Sequence, residues 1–338
     1  ILQKYNEYPF TVAIFKKLQE KLHVFFSNEE VLFLAIQMMC SKFIGISAVD
    51  ETLEQVQKYD NKLIEFVAIA TVCDVVDLID ENRIFVKNGL EMLNNSKNIG
   101  INALKKACGL EDKEITAYHL GFVIGPCLNA SGRLDSAKKG LELLLMEDDE
   151  EAKNLAQEIV DLNDARKNMT KEGVDRAINI IDSTDINNDK ILVVYIPDIH
   201  ESLAGIVAGR VKEKYNKPTI ILTKSEEGVK GSARSIEEYN MFEGLLACKE
   251  LLDKFGGHPM AAGLSLQEDK VDELRIALNN KCELTDEDLT RKIMIDSSLP
   301  LEYLNLHLIE ELNVLEPFGK GNSKPVFGVR DAKITKAI

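Results

Sequence analysis

The stretch from Ile191 to Leu222 constrains the fold of this chain more than any other. Ile191-Leu192-Val193-Val194-Tyr195 is an apolar, β-branched run of strand length. Ser202–Tyr215 has helical spacing, and Pro218-Thr219-Ile220-Ile221-Leu222 is a second strand-like run. Strand, helix and strand at that separation predict a parallel pair joined by a right-handed crossover, and so an α/β domain. The spacing continues it with a strand ending at Arg234, a helix from Met241 to Lys254, a Gly-Gly-His turn, a strand over Gly263–Leu266 and a helix over Val271–Asn280.

Ahead of that domain, residues 9–145 read as helical. Ser27-Asn28-Glu29-Glu30 is a candidate N-cap with acids in the first turn, before the apolar Val31–Cys40. A second helix is expected over Leu63–Asp77, apolar on every side and therefore buried. Glu81-Asn82-Arg83 leads a helix to Leu93, and another is expected over Lys113–Ile124. Gly125-Pro126-Cys127-Leu128-Asn129-Ala130-Ser131-Gly132-Arg133 reads as a Gly/Pro-bounded loop. The acidic run Glu147–Glu151 opens one long polar helix reaching about Ile181, the kind that bridges domains. In the tail, Lys292–Ile295 reads as a strand, Leu306–Leu315 as a helix and Pro325–Val329 as a strand, too few strands to close a barrel. Asp286-Glu287-Asp288 lies in a polar stretch with no strand before it and reads as surface.

The net charge of −15 over 338 residues argues against coating duplex nucleic acid, which needs a broad basic surface. A narrow basic cleft remains open, because the charges between Ile191 and Gly263 nearly balance. Six scattered cysteines with no C-x-x-C pair read as free thiols in a reducing cytoplasm. No apolar run approaches the roughly 18 residues of a membrane span. The start, Ile1-Leu2-Gln3-Lys4, has neither Met nor a signal peptide and reads as the interior of a longer protein.

Chemistry concentrates between Lys230 and Gly263. Adjacent Gly256 and Gly257 let the backbone approach a ligand, and His258 places a donor beside them. Ser232 and Arg234 add a hydroxyl and a cation at a strand end, a set suited to phosphate. The alternative is a tight turn with a surface histidine. Asn129 and Arg133 can each bind phosphate or sugar oxygens, or simply decorate a loop. Asp74, an acid within an apolar run, wants a metal, a cation or a helix cap, since a buried unpaired carboxylate costs several kcal/mol.

Taken in order, Ala70-Thr71-Val72-Cys73-Asp74-Val75-Val76, Asn129-Ala130-Ser131-Gly132-Arg133, His200 to Arg210, Ser232-Ala233-Arg234, Gly256-Gly257-His258 and Leu315-Glu316-Pro317-Phe318-Gly319-Lys320-Gly321-Asn322 form a set. Together they resemble the RecJ family of single-strand-specific exonucleases, within the DHH phosphoesterase superfamily. The resemblance implies an α/β protein with four parts. These are the mainly helical C-terminal part of a DHH catalytic domain (1–146), a connecting helix (147–184), a DHH-associated domain (185–283) and the start of an OB-type β domain (284–338). It implies two-metal hydrolysis with Mn2+ or Mg2+, Asp74 being a metal ligand and catalytic residue. It also implies that Asn129, Arg133, Ser232, Arg234, Gly256, Gly257 and His258 hold phosphates in a cleft that admits one strand. The implied partner is single-stranded DNA with a 5′ end, in repair and recombination, with a single-strand-binding protein or helicase as accessory and no membrane. Two departures stand out. The family's Asp-x-Asp after a strand and its Asp-His-His tripeptide do not occur, so Asp74 is the one metal-motif residue present and the chain alone is expected to be inactive. Asp77 stands where the family usually has Pro, and adds a negative charge near the site.

Two other readings compete. A phosphodiesterase for oligoribonucleotides or cyclic dinucleotides shares Gly-Gly-His but normally ends soon after it, and the tail from Lys292 disfavours it. A non-catalytic nucleic-acid-binding module would lack the upstream motifs altogether.

Overall fold

The computed structural model describes residues 63–134, 136, 138–226, 228–330 and 333. The expected helix over Val31–Cys40 and its cap lie outside them. The chain divides into two compact units. One holds the helices up to Pro126, the stretch Glu142–Gln157 and the tail from Ile295; the other holds Cys127–Leu141 and Glu158–Met294.

The second unit is built on a five-stranded sheet in the order β1-β2-β3-β5-β4. Its strands are β1 (Leu192–Tyr195), β2 (Thr219–Ser225), β3 (Gly228–Arg234), β4 (Lys254–His258) and β5 (Ala261–Leu266). β1 and β2 run parallel, joined by the helix Ala204–Tyr215, and every other pair is antiparallel. That helix stops at Asn216, whose left-handed backbone (φ 51°) suits an Asn better than most residues. Alternation fixes which side chain faces which way. Val193, Ile220, Leu222, Val229, Ala233, Ala262, Leu264 and Leu266 pack in one cluster with Met241, Leu245, Leu274 and Leu278. Those four come from the helices Met241–Leu246 and Val271–Asn280.

The opposite face is divided. Leu192, Val194 and Ile221 are covered by Ala204, Val207, Ala208 and Val211 and by Ala177 and Ile181 of the helix Asp149–Ser183. The β3, β5 and β4 half presents small and polar residues instead, by the strand registers. The long helix starts where Asp148 Oδ1 accepts the amides of Glu150 and Glu151, both at 2.9 Å, with acids in its first turn favoured by the helix dipole. Ala152, Ala156, Ile159, Asn163, Ala177 and Ile181 form its buried stripe.

Numbered in chain order, the helices longer than one turn are α1 (Ile64–Cys73), α2 (Asp80–Asn94), α3 (Ile99–Ala107), α4 (Gly125–Leu134), α5 (Lys138–Leu144), α6 (Asp149–Ser183), α7 (Ala204–Tyr215), α8 (Met241–Leu246), α9 (Val271–Asn280) and α10 (Leu306–Asn313). The tail pairs β6 (Ser297–Ser298) with β7 (Phe327–Gly328), in parallel.

Several expectations change. Gly125–Arg133 is helix, not loop: Pro126 sits in the first turn of α4, where its missing N–H costs nothing. It follows a π-turn over Leu120–Ile124, closed by the Gly125 amide donating to Leu120 O. α1 ends at Cys73 rather than Asp77 and is half-buried, with Glu65, Ala68, Ile69 and Thr71 inward. The helix expected from Lys113 begins at Ala117, capped by Thr116 and His119 reciprocally. α8 stops at Leu246; a 3-10 turn over Lys249–Leu251 follows, and the Asp253 amide donates to Ser265 O (2.8 Å) just before β4 begins. Gly-Gly-His lies in β4; the turn is Pro259-Met260, since His258 pairs with Ala261. Lys292–Ile295 is not a strand, and pairing begins at Ser297.

Candidate anion-binding site

The open half of the sheet follows from the strand registers. Ser232, Gly263 and Gly256 form one cross-strand row, and Arg234, Ala261 and His258 the next. Directly paired residues share a face, so Arg234 and His258 stand on the same side, two strand spacings or roughly 10 Å apart. Between them lies Ala261, with Gly256 and Gly263 in the neighbouring row. Gly256, Gly263 and His258 are exposed. This is a shelf of bare backbone rimmed by a cation and an imidazole.

Backbone bonds fix the shelf's end. The Ser235 amide donates to Met260 O and the Met241 amide to Pro259 O, both at 2.9 Å, which ties the β4–β5 turn to the end of β3 and the start of α8. Gly257 has φ 151°, and a Cβ there would meet Ala261 O at 2.4 Å and the Ala262 Cα at 2.5 Å. The second glycine is therefore demanded by the hairpin. The first is not, since a Cβ on Gly256 would meet nothing within 4 Å.

Arg234 runs beneath the first turn of α7. A Cβ on Gly205 would lie 2.7 Å from its Nη2 and 3.5 Å from Ser232 Cβ. Glycine at 205 thus leaves room for the guanidinium, which donates from Nη1 to Ala233 O at 2.8 Å. Burial, then the Arg133 guanidinium, hold Arg234 below the usual arginine range. Arg133 lies on α4 and donates to Ser202 O at 3.1 Å. Asn129, four residues earlier on α4, falls on the same helix face and is exposed. The structure therefore brings Arg133, Ser232 and Arg234 to one place, and sets Gly256 and His258 along the same sheet face. Gly257 faces the core side with Ala262 and supports the hairpin.

Sequence reasoning missed Gly205 and Arg166. Arg166 is half-buried on α6, and its Nε and Nη2 donate to Asn163 Oδ1 at 3.1 and 2.9 Å. Burial, followed by Arg133, holds it low as well. One arginine on a polar helix carries no sequence signal; Gly205 lay inside the His200–Arg210 motif.

Asp74 belongs to the other unit. It is the C-terminal flank of α1, exposed, not buried within a helix. A carboxylate there faces the negative end of the helix dipole, so capping does not account for it. Among the described residues no group of three or more His, Cys, Asp or Glu could hold a metal ion. One carboxylate does not fit a two-metal centre, and these residues do not build one.

Residues 188–284 match the DHHA1 domain and residues 295–338 the RecJ OB domain. The single-stranded-DNA-specific exonuclease RecJ of Bacillus subtilis (strain 168) is 38% identical over 276 residues, 80% of this chain and 35% of that protein. Crystal structures of RecJ from Thermus thermophilus in complex with Mg2+ and with Mn2+ superpose with TM-scores of 0.70 at 30% identity. They cover 78% and 79% of this chain, and 41% and 40% of theirs. The chain thus spans well under half the length of each of these proteins. Over the stretch that it shares with them, through a helical region, a DHHA1 domain and residues of a RecJ OB domain, the chain is of RecJ type.

Proposed function

We propose that this chain holds the 5′ end of single-stranded DNA for a RecJ-type, metal-dependent exonuclease acting 5′→3′. The observation that carries the proposal is the convergence of Arg133, Ser232 and Arg234 at the edge of a bare backbone shelf. The two guanidiniums neutralise a terminal phosphate dianion, and the Ser232 hydroxyl donates to it. Gly256 and Gly263 let the sugar-phosphate chain lie against the sheet, and His258 meets it at the far rim. Asn129, on the Arg133 face of α4, reaches a neighbouring oxygen. The match of 295–338 to the RecJ OB domain favours this over a small-substrate phosphodiesterase. The Mg2+ and Mn2+ complexes of the Thermus protein support divalent-metal hydrolysis for the family type. In this chain Asp74 would be one ligand, and it does not complete a site. A preference for manganese, a role in DNA repair and recombination in the cytoplasm, and cooperation with a single-strand-binding protein or helicase belong to the same proposal. No helix among the described residues is long and apolar enough to cross a membrane.

The test is fluorescence anisotropy with 3′-fluorescein oligothymidylate, 5′-phosphorylated or not. The phosphorylated strand should bind more tightly, and Arg234→Ala should weaken it by about 1.5–3 kcal/mol, the worth of a charge-assisted hydrogen bond. Equal affinity for the two strands would overturn the reading.

A further inference from the structure

Beyond the glycine row the strand registers set a third row on the shelf. Lys230 pairs with Ser265, and Ser265 with Lys254. Their chain neighbours Val229, Leu264 and Phe255 pack into the core cluster, so alternation turns Lys230, Ser265 and Lys254 to the open face. Both lysines are exposed. The third row repeats the layout of the first: a basic group on β3, a small residue on β5 and a second basic group on β4. Between the two columns, β5 lays a floor of Ala261, Gly263 and Ser265. The result is a trough along β5, with walls roughly 10 Å apart and roughly 14 Å from the first row to the third.

Two carboxylates bear on the lysine end. Glu201, on the turn leading into α7, has Oε2 3.2 Å from Lys230 Nζ, and both side chains are half exposed. Asp253 precedes Lys254, but its Oδ2 accepts from Gln267 Nε2 at 2.8 Å. Among the described residues Lys254 has no ion pair. An exposed pair such as Glu201 with Lys230 is weak, so a phosphate can replace the carboxylate at little cost.

We propose that Lys254 and Lys230, with the Ser265 hydroxyl between them, bind a phosphodiester inside the strand. The strand then leaves its terminal phosphate along β5, rather than across the sheet edge at His258. At the stacked rise of about 3.4 Å per nucleotide the trough takes about four nucleotides, and fewer when the bases unstack. Glu201 opposes binding by holding Lys230. The assignment rests on the terminal-phosphate reading above and gives that strand its course.

The experiment uses the 338-residue chain and 5′-phosphorylated, 3′-fluorescein oligothymidylate, with anisotropy titrations over a salt series. Lys254→Gln should lower affinity by up to about fivefold, the scale of an exposed ion pair. It should also reduce the slope of log affinity against log salt by about 0.7, the share of one single-strand phosphate contact. Lys254→Arg should keep both. Lys224 is exposed on β2 and pairs with the core residue Val229, which puts it on the opposite face. Lys224→Gln should therefore change neither quantity. Glu201→Gln should tighten binding, and that gain should be absent in a Lys230→Gln background, where a general charge effect would persist. Competition by thymidine 5′-monophosphate should be the same in wild type and Lys254→Gln, while competition by 5′-phosphorylated pentathymidylate should weaken. Thermal unfolding reports whether each variant is folded. An unchanged salt slope in folded Lys254→Gln, an equal loss in Lys224→Gln, or a Glu201→Gln gain that survives without Lys230 overturns the assignment. The comparison of phosphorylated with unphosphorylated strand in the wild type tests the underlying reading separately. Lys254→Gln should lose slope on both strands, so the two can fail independently.

Discussion

Lys320 Nζ lies 2.8 Å from Asp77 Oδ1, which joins the Pro-Phe-Gly-Lys-Gly-Asn segment of the tail to the loop that follows Asp74. The negative charge that the sequence places at position 77 is therefore met by a cation from the same unit. The contact has company. Leu78 N donates to Lys320 O at 2.6 Å, and Arg83 Nη2 donates to Val314 O and Glu316 O at 3.1 and 2.9 Å. The side chains of Lys320 and Asp77 are about half exposed, so water screens the pair. Lys320→Ala should destabilise by about 0.2–1 kcal/mol, less at high salt. Arg83→Ala frees two carbonyls beyond α10 and should cost more, about 1–3 kcal/mol for two hydrogen bonds. Urea unfolding of both variants checks the ranking; equal costs would mean that the ion pair holds the tail as firmly as the carbonyl clamp.

The two glycines of Gly-Gly-His should part company on substitution. Gly257→Ala forces a Cβ into Ala261 O and Ala262 and demands a backbone angle that alanine resists, so the hairpin should lose about 1–3 kcal/mol. Gly256→Ala meets nothing within 4 Å and should fold like the parent. Its methyl stands on the shelf, however, so oligonucleotide affinity should fall while thermal stability holds. Measuring both quantities on both variants separates the hairpin's need from the ligand's. Full affinity in Gly256→Ala would remove the shelf from the binding surface.

How much of this was legible varies with the physics that sets each element. Ile191–Leu222 was readable because apolar period and length both speak for strand, helix, strand. Val271–Asn280 was readable because acids open it and its apolar residues recur at helical spacing. Gly256-Gly257 misled: paired glycines usually mark turns, but here the second one admits Ala262 of the neighbouring strand, and Pro259-Met260 makes the turn. Gly125-Pro126 misled similarly, since proline punctuates a loop and also opens a helix. Of the site, Ser232, Arg234 and His258 could be listed from sequence, but their common face depends on the order β3-β5-β4, which no local pattern encodes.

Alkaline pH should expose the tie between α7 and α6. The Tyr215 hydroxyl donates to Asp182 Oδ1 at 2.7 Å. Burial, then this carboxylate, push its pKa up to about 12 from the usual 10. Below pH 10 the phenol is protonated folded or unfolded, and its contribution is intact. Between about 10 and 12 the unfolded chain releases the proton while the folded chain keeps it, so stability falls as pH rises and the contribution is lost above the folded value. Tyr195 and Tyr239 are raised as well and share the wild-type slope. Tyr215→Phe should flatten part of the decline in urea midpoint across that window. An identical decline in wild type and variant would place the titration elsewhere.

The chain as it stands should bind single-stranded DNA and leave it uncut. Binding is expected from the second unit alone, which carries its own sheet, helices packed over one face and half of the other, and both Arg133 and Arg234. Cutting by a two-metal route needs several carboxylate or imidazole ligands around bridged ions, to activate a water and to stabilise the leaving oxygen. The 338 residues contain no Asp-x-Asp after a strand and no Asp-His-His. Among the described residues Asp74 has no companions that would complete a metal group. Association through phosphates should therefore persist in EDTA and weaken steeply with salt, since it depends on arginines and not on bound ions. A 5′-labelled oligothymidylate incubated with the purified chain and Mn2+ should remain full length, with anisotropy unchanged on adding EDTA. Asp74→Asn should bind as the parent does. Metal-dependent release of mononucleotides that copurifies with the chain and disappears in Asp74→Asn would show that residues outside those described complete a working centre.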